Sequence, residues 1–199
     1  MNIHPSTSMV SRQQREWLLQ QHARVLWLTG LSGSGKTTIA HEVELLLHEQ
    51  GYSSVVLDGD NLRTGLNAHL GFSDEDRHEN IRRVAEVAKL MAEAGLVVLC
   101  SFVSPTIAVR SMAATIIGKH DFIEVFVDTP LQDCERRDVK GLYARARKGE
   151  IVDMTGVSAP YESPIQPAIT LSTSGKTPAQ SAIELLEFIL PLISYQSIS

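Results

Sequence analysis

The chain is poor in cysteine, in aromatic residues and in net positive charge, and it lacks any long apolar run. Its two cysteines, Cys100 and Cys134, lie in no metal-ligand spacing. This argues against a zinc site or a disulfide scaffold and reads as two free thiols in a reducing cytoplasm. Aromatic residues make up 6% of the sequence and the formal net charge is −5, so a protein whose main task is coating nucleic acid is not expected. The longest apolar stretch, residues 96–103, is too short to span a bilayer, and the first residues, MNIHPSTSMVSRQQREW, hold no apolar segment of signal-peptide length. The expectation is a cytoplasmic protein without membrane or nucleic-acid partners.

What is present suffices for one well-filled core. At 199 residues with 43% hydrophobic, the chain is long enough for a single domain and short for two. Residues 1–22 read as a polar arm with a short helix, and residues 23–199 as the domain. Apolar β-branched runs predict strands at 25–29, 54–57, 96–101, 123–127 and 168–171. Helical patterns fill the intervals at 36–50, 74–94, 107–119, 131–138 and 179–193, the first two closed by Gly51 and Gly95. Within 74–94, Ile81, Val84, Ala88 and Met91 recur at helical spacing and are expected to face the sheet. This alternation predicts an α/β fold with a parallel sheet covered on both faces, whose ligands gather at the carboxyl ends of the strands.

The first chemistry-bearing segment is GLSGSGKT, residues 30–37, between a predicted strand and a predicted helix. Glycines let backbone N–H groups close on phosphates, Lys36 reaches the β and γ groups, and Thr37 is placed to ligate Mg²⁺. A second GKT at residues 175–177 has Thr170 where the motif needs glycine, and reads as an ordinary loop before a helix.

Two further segments concern an acceptor. DGDNLR, residues 58–63, puts Asp58 and Asp60 at a strand end, where two carboxylates can serve a metal-bound water and an acceptor hydroxyl. The competing reading is a turn in which Asp60 or Asn61 caps the next helix. Arg63 is placed to hold an anion. In LGFSDEDRHENIRR, residues 70–83, Ser73 is the expected N-cap, Arg77 and Asn80 share one helical face, Phe72 can stack on a base, and Arg82 and Arg83 read as solvated charges.

Taken in order with SFVSP, FIEVFVDTPLQDCERRDVKGLYARARKGEI and TGVSAPYESP, these segments resemble the adenylyl-sulfate kinase (adenosine 5′-phosphosulfate, APS, kinase) family over nearly the whole chain. The resemblance implies a P-loop kinase three-layer sandwich, a central parallel β-sheet flanked by helices plus a lid at about residues 140–156. It implies transfer of the γ-phosphoryl of ATP to the 3′-hydroxyl of APS, giving 3′-phosphoadenosine 5′-phosphosulfate (PAPS), with Mg²⁺ as cofactor and a homodimer as the assembly. ATP is then held by Gly30, Leu31, Ser32, Gly33, Ser34, Gly35, Lys36, Thr37 and Thr38, with Arg137 flanking its adenine. APS is held by Asp60, Arg63, Phe72, Arg77, Asn80, Val103, Ser104, Lys140 and Met154. Lys36, Asp60 and Asp58 are the expected catalytic set, with Thr37 on the metal and Asp58 reaching it through water.

The resemblance has two departures. Met154 stands where the family pattern has a phenylalanine forming the other wall of the adenine slot, and Val139 replaces a proline before Lys140. Ser104 matches a serine phosphorylated in some members, although a serine before proline is also an ordinary turn residue. Two other classes are weighed. A non-catalytic APS- or PAPS-binding regulatory domain is disfavoured by an intact Lys36, Thr37, Asp58 and Asp60. A GTPase-type switch lacks its Asn-Lys-x-Asp guanine signature.

Overall fold

A computed structural model of the chain describes residues 9–195. Residues 1–8 of the expected polar arm lie outside the described residues. Five strands, β1 (Val25–Thr29), β2 (Ser54–Asp58), β3 (Val97–Ser101), β4 (Phe122–Asp128) and β5 (Ile169–Ser172), form one sheet in the order β2-β3-β1-β4-β5. Every pairing is parallel. Among the described residues eight helices surround it: α1 (Arg12–Leu19), α2 (Lys36–Glu49), α3 (Gly59–Thr64), α4 (Asp74–Glu93), α5 (Ile107–Ile117), α6 (Leu131–Arg137), α7 (Leu142–Arg147) and α8 (Pro178–Ile193).

Helices cover both faces, so strand residues are buried whichever way they point. Leu26, Leu28, Leu99 and Val125 pack with Ile39, Val43 and Leu47 of α2 and Leu185, Ile189 and Ile193 of α8. Val25, Trp27, Val98 and Cys100 pack on the opposite face with Ile81, Val84 and Ala88 of α4 and Ala113 and Ile117 of α5; Met91 of the predicted stripe joins only partly buried. β1 is buried along its whole length, which is why it reads as a continuous apolar run rather than an alternating one. Cys100 and Cys134 are both buried free thiols.

The predicted elements are found, with edges moved by local chemistry. α5 stops at Ile117 because Gly118 turns away at φ +100°. α3 and α7 are short helices that the sequence pattern did not delimit. At α3 neither Asp60 nor Asn61 is the cap: Asp58 accepts from the main-chain N–H groups of both. The difference follows from position, since Asp58 is the last extended residue and its carboxylate faces the N–H groups of the first helical turn. Ser73 caps α4 as expected, accepting from Asp76 N–H. The second GKT is an ordinary loop, with Thr177 capping α8 and Lys176 bonded to Glu184.

α1 lies at the amino ends of the strands, opposite the loops that carry the motifs. Arg12 bonds Asp121 and the carbonyl of Ala23. The buried Gln21 amide exchanges hydrogen bonds with Ser53 and donates to the carbonyl of Gly95. Among the described residues no helix is long and apolar enough to cross a membrane.

Candidate functional site

The carboxyl ends of β1, β2 and β3 and the segment after β4 bring the motifs together. The loop after β1 must pass so close to β4 that Gly30 has no room for a side chain: a Cβ there would lie 2.6 Å from the carbonyl oxygen of Val127. Gly33 and Gly35 adopt positive φ, as a cradle of inward-facing N–H groups requires. The cradle is braced from outside. Thr129 donates to the carbonyl of Ser34 at 3.0 Å, Tyr143 Oη donates to that of Ser32 at 2.8 Å, and Arg137 reaches the carbonyls of Gly33 and Ser34 at 3.3 and 3.2 Å.

Lys36 is buried and folded back on its own loop, its Nζ donating to the carbonyls of Gly30 at 3.0 Å and Leu31 at 2.8 Å. Burial lowers its pKa to about 8, against opposing pulls from Cys134, Asp58 and Asp60. These carbonyls hold the ammonium at the cradle, where a bound polyphosphate would be a stronger partner.

Thr37 donates to Asp58 Oδ2 at 2.7 Å and lies 3.1 Å from Ser101 Oγ. Asp58 Oδ1 accepts from Asp60 N–H at 2.9 Å. One buried carboxylate therefore joins the first turn of α2 to α3, and fixes where Asp60 begins. Asp60 itself is exposed and ion-paired with Lys140, which reaches over from the segment between α6 and α7.

Beyond Asp60 lies an exposed, positively charged shelf. Phe72 is 67% exposed, with the Arg63 guanidinium carbon 4.4 Å and that of Arg77 6.0 Å from its ring centre. Arg63 is anchored on the carbonyls of Leu70 and Gly71. Arg77 bonds the carbonyl of Phe72 at 2.8 Å and, across the cleft, that of Asp153 at 2.9 Å. Asn80 is buried and accepts from Asn67 Nδ2 at 3.0 Å, leaving Asn67 Oδ1 buried with no hydrogen-bond partner. Arg82 and Arg83, expected to be solvated, both pair with Glu79.

Two of the expected acceptor-site residues are enclosed. Met154 is 8% exposed and packs with Cys134, Tyr143, Leu31 and Leu131. As it stands it offers no open wall opposite Phe72, because a flexible thioether loses more by facing water than by filling this cluster. It is the neighbours Asp153 and Thr155 that meet Arg77. Ser104 is 2% exposed, and its hydroxyl accepts from Trp27 Nε1 and donates to Thr29 Oγ1, both at 3.1 Å. A phosphoserine there would have to expel the side chain from that network. Val103 lies beside it, its carbonyl accepting from Thr29 Oγ1 at 2.8 Å.

Several contributors were given no role by the sequence, although Ser101, Thr129 and Tyr143 stand in quoted segments: Ser101, Thr129, Asn67 and Tyr143. The last stands in the quoted KGLY, but nothing in that string says that its hydroxyl reaches the loop after β1. Helix α7 is capped from a distance, Asp138 accepting from Tyr143 and Ala144 N–H at 3.1 and 3.0 Å. On the surface of α7, Arg147 pairs with Glu135 and Arg145 with Glu150.

Residues 22–172 match the family model described as adenylylsulphate kinase. The chain belongs to the adenylyl-sulfate kinase family. The adenylyl-sulfate kinase of Bacteroides thetaiotaomicron is 56% identical over 93% of this chain and 92% of its own length. That of Clostridium acetobutylicum is 50% identical over 95% of this chain and 97% of its own. Among solved structures, the Mycobacterium tuberculosis APS kinase, in complex with AMPPNP and APS, superposes with a TM-score of 0.81 at 49% identity. It covers 84% of this chain and 98% of its own. A hexameric APS kinase from Thiobacillus denitrificans, at 24% identity over 89% of this chain and 30% of its own, shares the fold with a TM-score of 0.66. Within the adenylyl-sulfate kinase family, the loop after β1 and the Arg63–Phe72–Arg77 shelf fall in the matched region and flank Asp60 from two sides.

Proposed function

We propose that the chain transfers the γ-phosphoryl group of ATP to the 3′-hydroxyl of APS, giving PAPS, for sulfate activation. The observation that carries this is Asp60, set by Asp58 between a phosphate cradle and an arginine-bearing aromatic shelf. APS is an adenosine with a phosphosulfate tail, so it needs a stacking surface for the base and cations for the tail. Phe72 with Arg63 and Arg77 supplies both.

Phosphoryl transfer asks mainly for alignment and charge neutralisation. ATP enters the cradle of residues 30–38, and Lys36 exchanges its loop carbonyls for phosphate oxygens. Asp60 exchanges Lys140 for the 3′-hydroxyl, which it orients and relieves of its proton. Lys140, released, is placed to meet the anionic acceptor. Residues 140–156 act as the lid, and the Arg77 bonds to Asp153 and Thr155 draw it toward the APS shelf, limiting hydrolysis by water. Arg137, already on the cradle's carbonyls, flanks the ATP base.

Mg²⁺ fits the donors present. Thr37 and Asp58 offer oxygen ligands, and a phosphate-bound magnesium ion commonly takes only one or two from the protein. Bound there, it would neutralise charge on the phosphates; Thr37 would contact it, and Asp58 would hold it through water.

The test is ADP release with Mg-ATP and APS, AMP or no acceptor. APS-dependent release is expected, and release indifferent to APS overturns the reading. A homodimer and a cytoplasmic location accompany the proposal, checked by sedimentation and by cell fractionation.

A further inference from the structure

Arg110 is the most buried arginine described, at 2% exposure, and no sequence motif pointed to it. A buried guanidinium keeps its charge, so its N–H groups must find acceptors. Nε donates to Glu124 Oε1 on β4 at 2.8 Å, Nη1 to the carbonyl of Ser104 at 2.8 Å, and Nη2 to the carbonyl of Glu162 at 2.7 Å. Two of these acceptors are main-chain oxygens of irregular segments, one in the loop after β3 and one in the stretch that leaves the lid.

Those segments are joined again nearby. Glu162 N–H donates to the carbonyl of Pro105 at 2.8 Å, and the Glu162 carboxylate accepts from Ile107 N–H at 2.7 Å. Tyr161 lies with its ring 5.8 Å from the Arg110 guanidinium carbon and its hydroxyl 2.9 Å from Thr29 Oγ1. Thr29 Oγ1 donates to the carbonyl of Val103 and, at 3.4 Å, toward that of Ser104, so its contacts with the Ser104 and Tyr161 hydroxyls are both as acceptor. The result is a directed chain that pins Val103 and Ser104 from the β1 side while Arg110 pins Ser104 from the other. Ser104 is held at φ +39°, a left-handed conformation that a serine rarely keeps without such support.

We propose that Arg110 is a positioning residue for the acceptor side. It ties the exit of the lid, Tyr161 and Glu162, to the Val103–Ser104 loop, so that this loop's backbone is set before APS arrives. The inference rests on the reading that Val103 and Ser104 line the APS site. Arg110 touches neither substrate. A planar fork is required because its acceptors lie in three directions, which a lysine ammonium does not match.

The experiment is steady-state kinetics of Arg110→Lys with each substrate varied in turn. The KM for APS is expected to rise about tenfold, the size of one lost charge-assisted hydrogen bond, with the KM for ATP unchanged to within about twofold. A lowered melting temperature with both KM values unchanged would make Arg110 merely structural and overturn the proposal. Equal rises in both KM values would overturn it as well. Should Arg110→Lys not fold, Tyr161→Phe, which removes one hydroxyl from the same tie, is expected to raise the APS KM about threefold and leave that for ATP unchanged. An unchanged APS KM in Tyr161→Phe then counts against the proposal. Lack of APS-dependent turnover in the unaltered chain removes the functional reading, and this inference with it. A normal parent and an unaltered Arg110→Lys remove this inference alone.

Discussion

The two halves of the cleft are built by different physics. On the donor side the key groups are already bonded within the protein, Lys36 on loop carbonyls, Thr37 on Asp58 and Ser34 under Thr129, and Lys36 and Ser34 are buried as well. On the acceptor side Phe72, Asp60 and Lys140 are exposed, and what holds them is a solvated ion pair and cations over a ring. Exposed charge pairs contribute little to stability and exchange partners readily. The donor cradle is thus pre-organised, whereas the acceptor shelf is held by its own residues until a substrate replaces them. Changes on the donor side should therefore lower kcat, and changes on the acceptor side should raise the KM for APS.

Lys36→Ala gives the largest expected effect, a loss of about 10³-fold in kcat, the scale of one charge-stabilising donor in phosphoryl transfer. Rapid-quench measurement of ADP formation checks it. Asp60→Asn comes next, at about 10²-fold in kcat, because the amide neither accepts the proton nor holds Lys140 electrostatically. If that variant instead left kcat intact and raised only the APS KM, Asp60 would belong with the shelf and the division would move.

Arg77→Ala should raise the APS KM about twentyfold and change kcat by less than about threefold, since one charge-assisted anchor is lost. Calorimetric titration with APS gives the same comparison without turnover, and unchanged affinity would take Arg77 out of the site.

The pH dependence separates the halves without mutation. With Lys36 lowered to about 8 in the free protein, its charge is lost as pH rises through that value, so kcat/KM for ATP should fall about tenfold per unit above it. Stability runs the other way. Between about 8 and the ordinary 10.5, the unfolded chain holds more of this proton than the folded one, so Lys36 makes stability rise with pH across that window. Chemical denaturation at several pH values tests the sign.

Met154→Phe carries the smallest functional expectation. With Met154 enclosed beside Tyr143 and Leu31, a larger ring costs about 1–3 kcal/mol by overpacking. The APS KM should move less than about threefold, because the altered side chain sits under the lid rather than on the shelf. A marked tightening of APS would mean that residue 154 swings out to form a wall after all.

Much of this architecture was readable in advance, for local reasons. Strands buried on both faces must be nearly all apolar, so β1 and β3 announce themselves as VLWLT and VVLCS. Glycine and serine mark helix ends because few other residues satisfy those backbone positions, as Ser73, Gly51 and Gly95 show. The cradle was legible because phosphate binding by backbone constrains residue type at fixed spacing. Met154 and Ser104 were not, since whether a side chain of mixed character faces a ligand or a core depends on what lies opposite it. Arg110 was invisible for the same reason: an arginine in a helix reads as solvated unless its distant acceptors are known.

The amino-acid sequence by itself determined the alternation of strands and helices, the phosphate cradle and the order of the motifs, because all of these follow from interactions among residues close along the chain. Only the tertiary structure decided that Asp58 receives Thr37, that Lys140 rests on Asp60, and that Arg110 reaches the carbonyl of Glu162. Those contacts bridge segments 21, 80 and 52 residues apart. Their partners are selected by the packing of the sheet and its helices, which no local pattern encodes.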